Sequence, residues 1–194
     1  GASVGGRAPR ILERGGQSGQ PAHDSCEGAP GAEIAPPATM LEIREARPDD
    51  HARVLELWLR LIDHHRTLSR DFPTMPGIAS AIASEIRRAA SSRNCRLIVA
   101  ENEGRLLGFL FAEVEIGGGS HAEPAPGWIH ELFVDAPHRG RGVAARLLAE
   151  SDAFFAARGA KKVSVRVESS NSEALEYWGR RGFGERARIL ERVS

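Results

Sequence analysis

The stretch Val134-Asp135-Ala136-Pro137-His138-Arg139-Gly140-Arg141-Gly142-Val143-Ala144 joins two different periodicities. Before it, Trp128 to Val134 reads as a strand; after it, Gly142 to Arg158 has helical spacing and is stopped by Gly159. Val163, Val165 and Val167 then alternate, so the stretch sits inside one β-α-β crossover. Helix N-termini leave backbone N–H groups unpaired and carry partial positive charge, which suits a bound phosphate. Gly140 and Gly142 let a phosphate approach the backbone closely, and Arg139 and Arg141 add charge. A plain glycine turn that merely opens a helix has the same local pattern.

The rest of the chain limits the fold. Leu41, Ile43 and Ala46 alternate as a first strand. Pro48-Asp49-Asp50 offers helix-entry chemistry, and Val54, Leu57, Trp58, Leu61 and His65 recur at helical spacing. A second helix is predicted over Gly77 to Ser92, with Ile78, Ile82 and Ile86 on one stripe. Cys95 to Ala100 and Leu106 to Ile116 read as strands joined through Asn102-Glu103-Gly104-Arg105, with a loop from Gly117 to Pro126. Ser172 to Arg181 is a last helix, followed by a C-terminal strand. The predicted order is β-α-α-β-β-β-α-β-α-β, an α/β fold with an antiparallel front half and one crossover. Gly140-x-Gly142-x-x-Ala145, with Glu168 closing the next strand, also fits a dinucleotide fingerprint. A doubly wound domain would need several more β-α units, and only about fifty residues follow the turn.

Composition narrows the class. Lys+Arg and Asp+Glu balance at 26 each, so no global charge steers the chain toward nucleic acid or an anionic membrane. No apolar run approaches the length of a membrane span, and no signal-peptide pattern opens the chain. Two cysteines, Cys26 and Cys95, build no disulfide framework, and no His/Cys spacing resembles a metal site. A reduced, cytoplasmic setting is expected. Residues 1–39 hold 13 Gly or Pro and no aromatic residue. Such a segment cannot offset its ordering entropy, so a flexible tail or an over-called start is expected, with the domain spanning residues 40–194.

Arg139-Gly140-Arg141-Gly142-Val143-Ala144 resembles the acyl-CoA motif of the GNAT N-acetyltransferases: Arg or Gln, two residues, Gly, any residue, then Gly or Ala. Asn171-x-x-Ala174-x-x-Tyr177-Trp178-x-x-x-Gly182-Phe183 resembles the second signature of that family, at its usual distance. The element order from Met40 is similar to that fold as well, so the resemblance covers essentially everything but the tail. The resemblance implies a mixed central sheet flanked by helices, with strands splayed apart at the cofactor site. It implies acetyl-CoA as donor, its pyrophosphate on the backbone of Arg141, Gly142, Val143 and Ala144, beside Arg139 and Gly140. The pantetheine arm is then expected to lie along Leu132, Phe133 and Val134, pairing with the backbone of Leu132 and Val134. Asn171 would stand beside the arm or serve as a helix N-cap, and Trp178 would pack on the arm.

Transfer to an amine requires that the amine lose a proton, because a lysine-like ammonium with pKa ≈ 10.4 is not nucleophilic. The resemblance points to Glu131 as base, in the strand before the cofactor turn; His130 is the alternative, since imidazole titrates near neutrality. Adjacent strand residues point to opposite faces, so only one can reach a cleft unless a bulge intervenes. The tyrosine that commonly serves as acid in the family falls here at Trp178, while Tyr177, one step earlier, is expected at the core or its edge. The acceptor site is expected among His64, His65, Arg66, Arg70, Asp71, Phe72 and the Gly117–Pro126 loop, with His65 on the apolar stripe as a core histidine. The expected activity is N-acetylation of a small-molecule primary amine. A protein N-terminal or lysine acetyltransferase and a non-catalytic acyl-CoA-binding module remain alternatives, and a homodimer is compatible with each.

Overall fold

The structure, a computed structural model, describes residues 41–68, 76–115 and 125–188. The segment 1–39, Arg70, Asp71, Phe72 and most of the 117–126 loop lie outside these. The order is β1 (Glu42–Glu45), α1 (His51–Leu68), α2 (Ile78–Ser91), β2 (Cys95–Asn102), β3 (Arg105–Val114), β4 (Gly127–Val134), α3 (Val143–Ala157), β5 (Val163–Val165) and α4 (Ser172–Arg180). Short 3-10 turns, Pro48–Asp50 and Ala136–His138, lead into α1 and toward α3. The five strands lie side by side in chain order, β1 to β4 antiparallel and β5 parallel to β4.

Helices cover both faces, which is why β3 is buried almost end to end rather than on alternate residues. On one face, Val54, Leu57, Trp58 and Leu61 of α1 and Ile82 and Ile86 of α2 pack on Leu97, Val99, Phe109, Phe111 and Phe133. On the other, Val143, Leu147 and Phe155 of α3 and Trp178 of α4 pack on Ile98, Leu110, Ala112 and Ile129. The β2–β3 hairpin closes through Glu103 and Gly104, with φ of 51° and 74°, the pair of positive angles that a type I′ turn requires. At the entry to α1, Arg44 donates to both Asp50 oxygens, at 2.6 and 3.0 Å, and to Glu101 at 2.9 Å. That fork ties the edge strand to the helix it feeds.

Two expectations change. The strand expected through Val167 ends at Val165, because β5 pairs with β4 only from Gly127 to Ile129. Beyond Ile129 the two strands diverge, and Val167 has no neighbour to pair with. The last strand does not form over residues 183–188, and the remaining residues lie outside the described ones.

The end of β4 is set by close packing as well as pairing. Gly108 lies opposite Val134, and a Cβ there would stand 2.4 Å from the carbonyl oxygen of Phe133. Since the obstacle is backbone, Gly108→Ala is expected to destabilise the fold by about 1–3 kcal/mol in urea unfolding. An unchanged midpoint would mean that β4 can shift freely at its cofactor end.

Candidate active site

The strand β4 carries one residue more than its partner. Phe111 lies opposite Glu131 and Ala112 opposite Ile129, so His130 is the extra residue of a β-bulge. Without it, alternation would send His130 and Glu131 to opposite faces. With it, both stand on the α1/α2 face: Glu131 meets Trp58 of α1, and His130 meets Phe111 and Glu113 of β3. Both line a cleft of about 670 Å³.

That cleft follows the gap where β5 leaves β4. Its walls run from Leu61, His64 and His65 on α1, past His130 and Glu131, to Arg139, Gly140 and Gly142, and along α4 to Tyr177 and Trp178. Asp135 N donates to Leu107 O at 2.8 Å, which turns Asp135 toward β3 and leaves Leu132 and Val134 with backbone facing the gap. The Val134 carbonyl accepts from Arg139 Nε at 3.0 Å, and the Arg139 guanidinium lies 5.7 Å from the Phe133 ring centroid. A carbonyl has two lone pairs, so this oxygen can still take a second donor.

The turn into α3 is built from left-handed glycines, Gly140 at φ 72° and Gly142 at φ 79°. Gly142 is the N-cap residue of α3, and with no side chain it cannot satisfy the first N–H groups of the helix. Asp135, just ahead of the turn, is buried; it takes Arg60 Nη1 of α1 at 2.9 Å and the N–H of Ala136 at 3.2 Å. A carboxylate this close to a phosphate-type turn is therefore paired with an arginine from α1.

Of the expected cofactor residues, Leu132, Phe133, Val134, Arg139, Gly140, Gly142, Val143, Ala144, Asn171 and Trp178 line the cleft. Arg141 does not: it is exposed between the two left-handed glycines, where the chain bends sharply. Phe133 points its ring into the α1-side core and its backbone pairs with Phe109 of β3, so it borders the cleft without offering the gap a backbone hydrogen bond. Trp178 is 7% exposed and meets Phe183 edge-on at 4.9 Å, so it is a core residue whose margin reaches the cleft. Asn171 caps α4, its Oδ1 accepting from Ala174 N at 2.9 Å. Tyr177, expected at the core or its edge, packs against the α3-side core and also lines the cleft, and burial pushes its phenol up. His65, expected on the apolar stripe of α1 within the acceptor region, is half-buried and lines it as well, and burial lowers its pKa. Glu113, Arg88 and Arg60 were invisible to sequence reasoning, because nothing local marks them; their roles come from contacts 17 to 75 residues away along the chain.

Burial pushes the Glu131 carboxyl up to about 7, with the Trp58 indole N–H pulling weakly the other way. A carboxyl raised in the folded state contributes stability that is fully present below its unfolded pKa near 4.5 and lost as pH rises through about 7. Glu131→Gln cannot ionise. It is therefore expected to be more stable than wild type at pH 8 and about equal to it at pH 4, by denaturant titration at both pH values. A variant that is less stable than wild type at pH 8 would show that the carboxylate is well solvated.

Among the described residues no helix is long and apolar enough to cross a membrane. The model of the acetyltransferase (GNAT) family matches residues 58–183, from α1 through α4. An N-alpha-acetyltransferase of Arabidopsis thaliana is 32% identical over 85 residues, 44% of this chain and 43% of the relative. An uncharacterized N-acetyltransferase of Methanocaldococcus jannaschii is 34% identical over 89 residues, 45% of this chain and 38% of the relative. The match thus spans about two fifths of the length of these curated relatives. Among solved structures, the aminoglycoside N-acetyltransferase AAC(6')-Iy in complex with CoA superposes with a TM-score of 0.62 at 18% identity, over 83% of this chain and 99% of that one. The family match takes in well over half of the chain, and the chain belongs to the GNAT acetyltransferase family.

Proposed function

We propose that this chain transfers the acetyl group of acetyl-CoA to a primary amine of a small molecule, with Glu131 as the general base. The observation that carries the reading is the Glu131 carboxyl, brought into the cleft by the β4 bulge and raised to about 7 by burial. A base poised near the working pH is half ionised and still basic enough to accept a proton in the transition state. The uncapped start of α3 and the left-handed glycines suit the pyrophosphate, and the gap-facing backbone of Leu132 and Val134 suits the pantetheine amides. Asn171 and the margin of Trp178 border the arm.

The amine nitrogen attacks the thioester carbon; the N–C bond forms and the carbonyl pair moves onto oxygen. A bulge leaves backbone outside the strand ladder, a ready donor for that oxyanion. Collapse breaks the C–S bond, CoA leaves as thiolate, and the nitrogen's proton passes to Glu131. A thiol near pKa 8.5 leaves without much help, so no strong acid is required.

A peptide N-terminus is the second reading, favoured by the Arabidopsis relative's description as an N-alpha-acetyltransferase. Release of free CoA thiol, followed against a panel of aminoglycosides, simple primary amines and short peptides, separates the two. Turnover on peptides alone would replace the small-molecule reading, and no turnover on any amine would leave a non-catalytic acyl-CoA binder.

A further inference from the structure

The bulge that turns His130 into the cleft also sets it against a pair of residues that the acetyl-transfer reading does not use. Its Nε2 lies 2.9 Å from Oε2 of Glu113 on β3. Glu113 is gripped in turn by Arg88 of α2, whose Nη1 and Nη2 donate to Oε1 and Oε2 at 2.9 and 3.1 Å. That guanidinium holds the Glu113 carboxyl below the usual range. Glu113 is therefore an anion that can only accept, and Nε2 must be the nitrogen that donates to it. The Phe111 ring lies against the imidazole, centroids 5.1 Å apart, so the ring is held at a face and at an edge. Nδ1 is left as the one polar atom of a side chain that lines the cleft beside Glu131. In a neutral imidazole with its proton on Nε2, Nδ1 carries a lone pair.

We propose that Arg88 and Glu113 are positioning residues that lock His130 in its Nε2–H tautomer, so that Nδ1 accepts an N–H of the acceptor amine while Glu131 accepts another. The inference rests on the amine-acetylation reading and adds a selection rule to it. A neutral primary amine has two N–H bonds and one lone pair: one bond for each acceptor and the pair left for attack. A secondary amine has only one N–H and so forfeits one of the two hydrogen bonds, either at the partly buried Glu131 or at the more exposed His130. Primary amines are therefore preferred over their N-methyl analogues.

The tautomer can be read without any substrate, by long-range 1H–15N NMR of the histidine-labelled full chain at pH 8, with the His130 signals assigned by their loss in His130→Asn. The expected result is a pyrrole-type Nε2 and a pyridine-type Nδ1, shifting toward a mixture in Glu113→Gln. In kinetics, Glu113→Gln is expected to lower kcat/KM for the amine about 10-fold, the worth of one hydrogen bond, with acetyl-CoA affinity unchanged. The variant His130→Asn keeps an acceptor near the Nδ1 position and should retain more activity than His130→Phe. A predominant Nδ1–H tautomer in wild type overturns the proposal. So does Glu113→Gln with both tautomer and kcat/KM unaltered, or an N-methyl acceptor used as well as its primary parent. Should Glu113→Gln fail to fold, the wild-type tautomer and the two His130 variants decide. Failure of the acetylation reading itself is distinct, since it shows as wild type releasing no thiol with any amine whatever the tautomer.

Discussion

Glu131→Gln is expected to lower kcat/KM for the amine acceptor by about 10²–10⁴-fold at neutral pH, the usual range for removing a general base. Acetyl-CoA affinity should stay near wild type, because the side chain lies on the α1 face of β4, whereas the gap-facing backbone belongs to Leu132 and Val134. The pH dependence carries the sharper content. In wild type, kcat/KM should rise with unit slope below about 7 and bend there, as the raised carboxyl ionises. In the variant that bend should vanish. Its rate should then climb further into the alkaline range, as more of the acceptor amine is already neutral. Full activity in Glu131→Gln, or a wild-type profile that bends only near 4.5, would move the base role to His130 or to a water.

Gly142→Val is expected to weaken acetyl-CoA binding by at least about 100-fold in calorimetry, since the loss of one or two charge-assisted hydrogen bonds is of that size. The cause is backbone rather than space. Gly142 sits at φ 79°, and a Cβ built there meets nothing within 4 Å. A β-branched residue is strained at that angle by roughly 1–2 kcal/mol or more, so the turn relaxes and the first N–H groups of α3 swing off the phosphate. Gly142→Asn separates the two causes, because Asn tolerates the left-handed region far better than Val. If backbone angle governs binding, the Asn variant should keep much more affinity than the Val variant. Equal losses in both would mean that any side chain at this position obstructs the phosphate, and wild-type affinity in a folded Gly142→Val would remove the phosphate from this turn.

The features that were legible in the residues are the local ones. Helical spacing placed Val54, Leu57, Trp58 and Leu61 on one buried stripe, and the turn at Glu103 and Gly104 placed the hairpin of β2 and β3. The glycine turn was legible because left-handed backbone at a helix start is demanded locally, at Gly140 and Gly142 themselves. Asn171 was readable as an N-cap for the same reason: its partner, Ala174, is three residues away. Tyr177 and His65 were legible as partly buried residues of their helices, but helical spacing says only which stripe a residue occupies, not where the neighbouring wall ends and the cleft begins.

By itself, then, the sequence determined the strand–turn–helix with its phosphate-type glycines and the order of elements around it, since each depends on contacts within a few residues. Only the tertiary structure decided which side chains share the cleft. The bulge at His130 is a mismatch in register between β3 and β4, a property of two strands together, and no pattern within either strand encodes it. That one extra residue turns His130 and Glu131 to the same face. The raised carboxyl of Glu131 and the fork from Arg88 through Glu113 to His130 follow from what α1, α2 and β3 place around it, because burial and pairing are set by neighbours distant in the chain.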